Sequence, residues 1–314
     1  MAYSQGGLIL ATDYNNFLTG SNQLNTVWST GTGNAGYGQT ALSTVGVAGT
    51  VTATQWATLI NTLNSVLTHQ AGSGSGISAT TAGTTVSYLS TLGTNINTSY
   101  TNRLNAATTG STSTAQGSTA TVFSNAATNA ASAGFTYGTR CAFASADAAR
   151  YFFNAGGRLK FNVSAAQSSS TTARTNAIIA LVGFFGSVTA FGATTNGGRS
   201  GTGGTVTTND TTKGYWTTTK ATNTTLQAIT NTTASYTSDT ASIYVNLNGT
   251  AGANGDNGLN IDFYLTLNST QGSNAGGLSF DDSYGVSVTR SIDITYPEST
   301  NLTNTWGTPT FSAL

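Results

Sequence analysis

The sequence predicts an α+β fold, with an N-terminal helical docking or oligomerisation module over residues 1–110 and a mainly antiparallel β-sandwich domain over residues 111–314 that carries one or two short helices. Three observations predict it. Apolar residues before residue 105 recur at helical spacing, whereas those in the last third alternate with polar ones at a period of two. Between the two patterns, residues 106–118 are Thr, Ser, Ala and Gly with one Gln and no apolar period. This stretch reads as a boundary that lets the halves fold independently.

The helices follow in order. Residues 1–10 read as an exposed arm. Thr12 or Asp13 is placed to cap a first helix in which Tyr14, Phe17, Leu18, Leu24, Val27 and Trp28 share a face, with Gly20 as an interruption. Residues 31–39 are glycine-rich, but no strand precedes them and no Lys-Ser/Thr follows, so a turn-rich loop is expected rather than a phosphate cradle. Thr52-Ala-Thr-Gln55 has the form of a capping box ahead of the strongest stripe, Trp56, Leu59, Ile60, Leu63, Val66 and Leu67. His69 falls at the end of that helix, where it is expected to serve as a C-terminal cap. A third helix is expected over 84–104.

In the second half, residues 139–145 read as a strand with Cys141 and Phe143 on one side. Asp147 is placed to cap a short helix ending at Asn154-Ala-Gly-Gly157, and Leu159, Phe161 and Val163 then alternate as a strand. Residues 172–185 suit a buried helix. Residues 194–209 read as loop, and strands are expected at 214–219, 226–230, 242–247, 260–267 and 286–296. The tail after Pro297 looks extended, fit to lie on a sheet edge or a partner.

Composition removes many functions. Asp, Glu, Lys and Arg make up 6% of the chain, ten of each sign, against about 25% in ordinary globular chains. Such a surface is polar through Thr, Ser, Asn and Gln, and near-zero net charge favours association. Glu298 is the only glutamate, His69 the only histidine and Cys141 the only cysteine, which strips out most acid/base and metal-ligand chemistry. No catalytic residue, cofactor or metal site is assigned. Asn254, Asp256 and Asn257 suggest a calcium loop without completing a ligand set, and Asp281-Asp282 is a carboxylate pair with no histidine or glutamate nearby. No basic stripe suits nucleic acid, no run is long enough to span a membrane, and the start lacks the features of a signal peptide.

The stretch 147–161 is the one place where charge, aromatic mass and a glycine hinge coincide. Asp147 and Arg150, three apart on a helix, are expected to form a local ion pair, and the stretch to be a packed corner between the halves. Candidate interaction residues are Trp56, Leu59, Ile60 and Leu63, expected partly at a subunit interface, together with Tyr151, Phe152, Phe153, Tyr215 and Trp216. Exposed Tyr215 and Trp216, or Tyr236 and Tyr244, could stack on sugars.

Asp13-Tyr-Asn-Asn16, Gly36-Tyr-Gly-Gln39, Val51-Thr-Ala-Thr-Gln-Trp56, His69-Gln70 and the block from Ala148 to Phe161, with Arg150-Tyr-Phe-Phe-Asn-Ala-Gly-Gly157 at its centre, together resemble virion structural proteins of marine tailed bacteriophages, notably those of cyanobacteria. The resemblance covers the first half of the chain. It implies a non-enzymatic particle component and supplies no catalytic residues. With the depleted charge and the Thr/Asn-rich strands, the expectation is a tail fibre or other tail or baseplate appendage in the virion, bound to itself and to other virion proteins. By analogy with fibres the homo-oligomer would be a trimer. A capsid decoration protein is the alternative within that class. A host-glycan-binding adhesin module is the alternative outside it, and a polysaccharide-degrading tailspike would need a carboxylate pair in a groove.

Overall fold

A computed structural model describes residues 10–125, 132–169, 172–186, 189–270, 272–273, 279–280 and 283–314. Among them the chain forms four helices, α1 (Ala11–Leu18), α2 (Leu24–Trp28), α3 (Ala53–Ala71) and α4 (Leu89–Thr101), ahead of the first strand. Two more lie among the strands, α5 (Ala146–Asn154) and α6 (Ala173–Gly183). The strands are β1 (Thr109–Asn125), β2 (Ser132–Ala142), β3 (Arg158–Gln167), β4 (Thr189–Phe191), β5 (Thr205–Asn209), β6 (Thr224–Thr230), β7 (Thr240–Asn248), β8 (Asn260–Thr270), β9 (Gly272–Ser273), β10 (Ser279–Phe280), β11 (Tyr284–Pro297) and β12 (Thr310–Ala313).

Side chains cap the N-termini of α3, α5 and α6, where Thr52, Ser145 and Thr172 accept a backbone N–H. Leu10, rather than Thr12 or Asp13, is the N-cap of α1, and Asp13 reaches back to accept its N–H at 2.9 Å. Gly20, at φ 132°, separates α1 from α2. The expected box at α3 forms in both directions, Gln55 N–H to Thr52 Oγ1 at 3.2 Å and Thr52 N–H to Gln55 Oε1 at 2.8 Å, which stabilises the helix by about 1 kcal/mol. Gly72 closes α3 in the left-handed conformation. The third expected helix is shorter than its apolar spacing suggested, because α4 starts only at Leu89.

All strand pairs are antiparallel. One sheet runs β1-β11-β3-β4, the other β12-β2-β8-β7-β6-β5, and β9 pairs with β10. The two large sheets face one another as a sandwich. Alternation decides which side chains lie between them: Leu159, Phe161 and Val163 from β3, Ile261, Phe263, Leu265 and Leu267 from β8, and Val286, Val288, Ile292 and Ile294 from β11 are all buried. Phe161 stacks on Phe263 across the gap, with ring centroids 5.4 Å apart. Arg290 takes the matching inward position on β11, its guanidinium 3.3 Å from the Tyr137 ring centroid, and burial lowers its pKa to about 10. Helix α6 touches both sheets, through β3 and β11 on one side and β7 on the other.

Three strand or loop assignments fail. Residues 106–118, expected as a connector, contain the start of β1, which pairs with β11 along its whole length. Its composition hid it, because an edge strand exposed on most of its length needs no apolar alternation. Residues 214–219 form a turn rather than a strand, while β5 occupies residues expected as loop. Nor are the halves separate bodies. Tyr14, Trp56 and Leu92 belong to the same contiguous apolar core as Phe152, Phe263 and Ile294. The tail completes the join. Gln39 exchanges hydrogen bonds with the backbone of Thr303, at 2.8 and 3.0 Å, before β12 lies on the edge of β2 as expected for an extended tail.

Candidate functional site

The stretch from Ser145 to Phe161 forms the corner where the helical part meets the sandwich. Ser145, not Asp147, caps α5, its hydroxyl accepting the Ala148 N–H at 3.0 Å. That frees Asp147 for Arg150, whose Nε donates to it at 3.0 Å. Arg150 is fully buried. Its Nη atoms donate to the carbonyls of Thr30, Gly33 and Ala35, at 2.5, 3.3 and 2.6 Å. A buried guanidinium is tolerable only when its donors are met, and here one carboxylate and three carbonyls meet them.

The glycine-rich loop supplies those carbonyls, so its role is that of an acceptor cradle for a cation of the same chain. Gly31, Gly33, Gly36 and Gly38 all have positive φ, and a Cβ at Gly36 would strike the Thr30 carbonyl that Arg150 uses. Asn154 extends the same arrangement, donating to the Gly33 and Gly36 carbonyls at 3.3 and 3.1 Å and accepting the Trp216 indole N–H at 2.9 Å. From the sandwich side, Asn254 donates to Asp147 at 2.9 Å while its carbonyl accepts the Gly33 N–H at 2.8 Å.

Five of the nine candidate interaction residues meet here. Phe152, Phe153 and Tyr215 are buried, with the Phe153 and Tyr215 rings stacked at 4.5 Å. Tyr151 and Trp216 are half-buried; the Tyr151 ring fills the space where a Cβ on Gly38 would lie. The Tyr215 hydroxyl donates to the Gly258 carbonyl at 2.8 Å, and burial raises its pKa.

The other four lie apart from this corner and correct an expectation. Trp56 is 4% exposed, and Leu59, Ile60 and Leu63 are fully buried within one chain, Trp56 packing edge-on against Tyr14 at 5.5 Å and Phe17 at 6.0 Å. A stripe consumed by its own core leaves no apolar face for a second subunit. Sugar stacking on Tyr215 or Tyr236 fails for the same reason, since both are buried. Tyr244 does lie on the outer face of its sheet, half-buried and stacked at 5.0 Å on Tyr264.

His69 lies in the last turn of α3, as expected, but Gly72 is the C-cap. The His69 side chain is buried, and its Nδ1 lies 2.9 Å from Glu298 Oε1, with the Tyr37 ring edge-on at 5.2 Å. The only signal in the sequence was that each residue is the sole one of its type. The suggested calcium oxygens are committed elsewhere: Asp256 accepts the Gly258 N–H at 2.9 Å and lies 3.6 Å from Lys220, and Asn257 donates to the Thr218 carbonyl at 2.8 Å. Asp262 holds Arg140 through two bonds of 2.7 Å. Asp281 and Asp282 lie outside the described residues. Among the described residues no three His, Cys, Asp or Glu side chains gather as a metal site, and no helix is long and apolar enough to cross a membrane.

Comparison with protein-family models, with curated proteins and with solved structures found no match. Every donor and acceptor named at the corner points at another part of the same chain, so the corner ties the helical part to the sandwich.

Proposed function

We infer that the chain is a non-enzymatic structural component of a tailed bacteriophage virion, a subunit of a tail fibre or another tail or baseplate appendage. One observation carries the reading. The sequence blocks that resemble marine phage virion proteins are distant in the chain but adjacent in space: Gly36 bonds Asn154, Gly38 packs on Tyr151, and Tyr37 accepts a bond of 2.8 Å from Gln70 and lies edge-on to His69. Residues with that distribution serve an architecture rather than a reaction. Scarcity of charge supports the same reading, because a neutral, hydroxyl-rich surface favours assembly over free diffusion.

Self-association in such a particle runs through sheet edges once the α3 stripe is excluded. β1 is a 17-residue edge strand with no charged residue and no proline, and its Val122 is 60% exposed.

Immunogold electron microscopy of particles of the encoding phage, with antibody raised against the purified chain, tests the assignment. Gold on the tail is expected. Gold on the head moves the assignment to capsid decoration, and particles without gold overturn it.

A further inference from the structure

We propose that a cleft beside Arg158 is a binding site for a carboxylate carried on a small hydroxyl-rich body, an acidic sugar residue of the uronate type. The cleft has a volume of about 290 Å³ and lies between the end of the helical part, the Gly156-Gly157-Arg158 turn and the 192–197 segment after β4. Its size suits one sugar ring rather than a folded partner.

Charge bookkeeping singles out Arg158. Of the chain's ten cations, Arg140, Arg150, Lys160, Lys213 and Lys220 have a carboxylate within ion-pair distance. Arg103, Arg174 and Arg199 donate to carbonyl oxygens, and Arg290 is buried against Tyr137. Of these cations Arg158 alone is exposed with no ion pair or hydrogen bond from its side chain among the described residues. The last carbonyls of α5 do not compete for it, since those of Tyr151, Phe152 and Phe153 accept the N–H groups of Ala155, Gly157 and Gly156.

The walls define the rest of the ligand. Glycine backbone and the exposed Thr194 and Thr195, whose hydroxyls find no partner among the described residues, line the space beside the aliphatic Leu104, Ala106, Ala190 and Ala193, with no aromatic ring among them. Such mixed walls suit a sugar ring, which presents both hydroxyl groups and C–H faces, and give an aromatic acid no ring to stack on. One guanidinium, with no second cation in the lining, matches a monoanion better than a phosphate dianion. The inference is independent of the particle assignment, since it rests on the cleft alone.

The test is a titration of ¹⁵N-labelled protein, following the side-chain Nε–H signal of Arg158, assigned by its loss in Arg158→Gln. Sodium glucuronate is expected to shift that signal and the amides of 192–197 saturably. Glucose should bind at least tenfold more weakly, and Arg158→Gln should abolish the amide shifts while keeping the wild-type Tm. Absence of a saturable shift, or equal shifts in the variant, overturns the site. Tighter binding of N-acetylglutamate than of glucuronate overturns the sugar as its ligand in favour of an acidic peptide.

Discussion

His69 Nδ1 and Glu298 Oε1 lie 2.9 Å apart, so the chain's only histidine and only glutamate, 229 positions apart, tie α3 to the strap that follows β11. Burial favours the neutral imidazole and lowers the His69 pKa, against the opposing pull of Glu298. Burial alone would raise the Glu298 pKa, but the N–H groups of Asn301 and Thr300 and the bond from His69 outweigh it and hold the carboxyl below its ordinary value.

Both groups bind protons more readily in the unfolded chain. Each therefore contributes stability that is complete above its unfolded pKa, about 6.5 for histidine and about 4.3 for glutamate, and is lost as pH falls through the folded value. Tm is expected to fall once below about pH 6.5 and again below about pH 4.3. His69→Gln keeps a donor for Glu298 but does not titrate, so it should remove the upper step and leave the lower. A Tm that rises between about pH 7 and 5 would contradict this account.

The glycine cradle makes a graded prediction. Gly33 has φ 55° with open space where a Cβ would go, so Gly33→Ala should cost only the left-handed penalty, about 1 kcal/mol. Gly36, at φ 95°, has no such space, and Gly36→Ala should cost about 3 kcal/mol or more by displacing the Thr30 carbonyl from Arg150. Urea unfolding of both variants decides it, and equal costs would refute the cradle.

Placement of the α3 stripe separates folding from assembly. Leu63→Ala should destabilise the subunit by about 2–5 kcal/mol, as a buried large-to-small change does, yet leave its oligomeric state unchanged. Val122→Lys, on the exposed edge, should do the reverse. Light scattering with thermal unfolding reads both, and an oligomer that dissociates in Leu63→Ala with folded monomers would return the stripe to an interface.

Much of the sandwich was legible, because burial on one face writes itself as alternation in β3, β7, β8 and β11. The boxed start of α3 and the Asp147–Arg150 pair were legible because both are local. What failed was non-local or unpatterned. β1 is held by backbone pairing to β11 with little apolar burial of its own, so Thr and Ser read as linker. Tyr215 looked like an exposed platform because nothing local shows that Phe153 and Gly258 enclose it. The interface role given to Trp56 and Leu63 failed because a helical stripe records that something covers it, without saying whether that cover belongs to the same chain.

The claim on which the rest depends is that Arg150 joins the helical part and the sandwich into one cooperative body. Differential scanning calorimetry of the wild type and Arg150→Met tests it most directly. A single transition with equal calorimetric and van't Hoff enthalpies is expected for the wild type. In the variant, the carbonyls of Thr30 and Ala35 lose their donor while that of Gly33 keeps Asn154, and the transition should weaken by about 3–5 kcal/mol. Two separate transitions in the wild type, or a variant whose Tm stays within about 1 °C of it, would contradict the account.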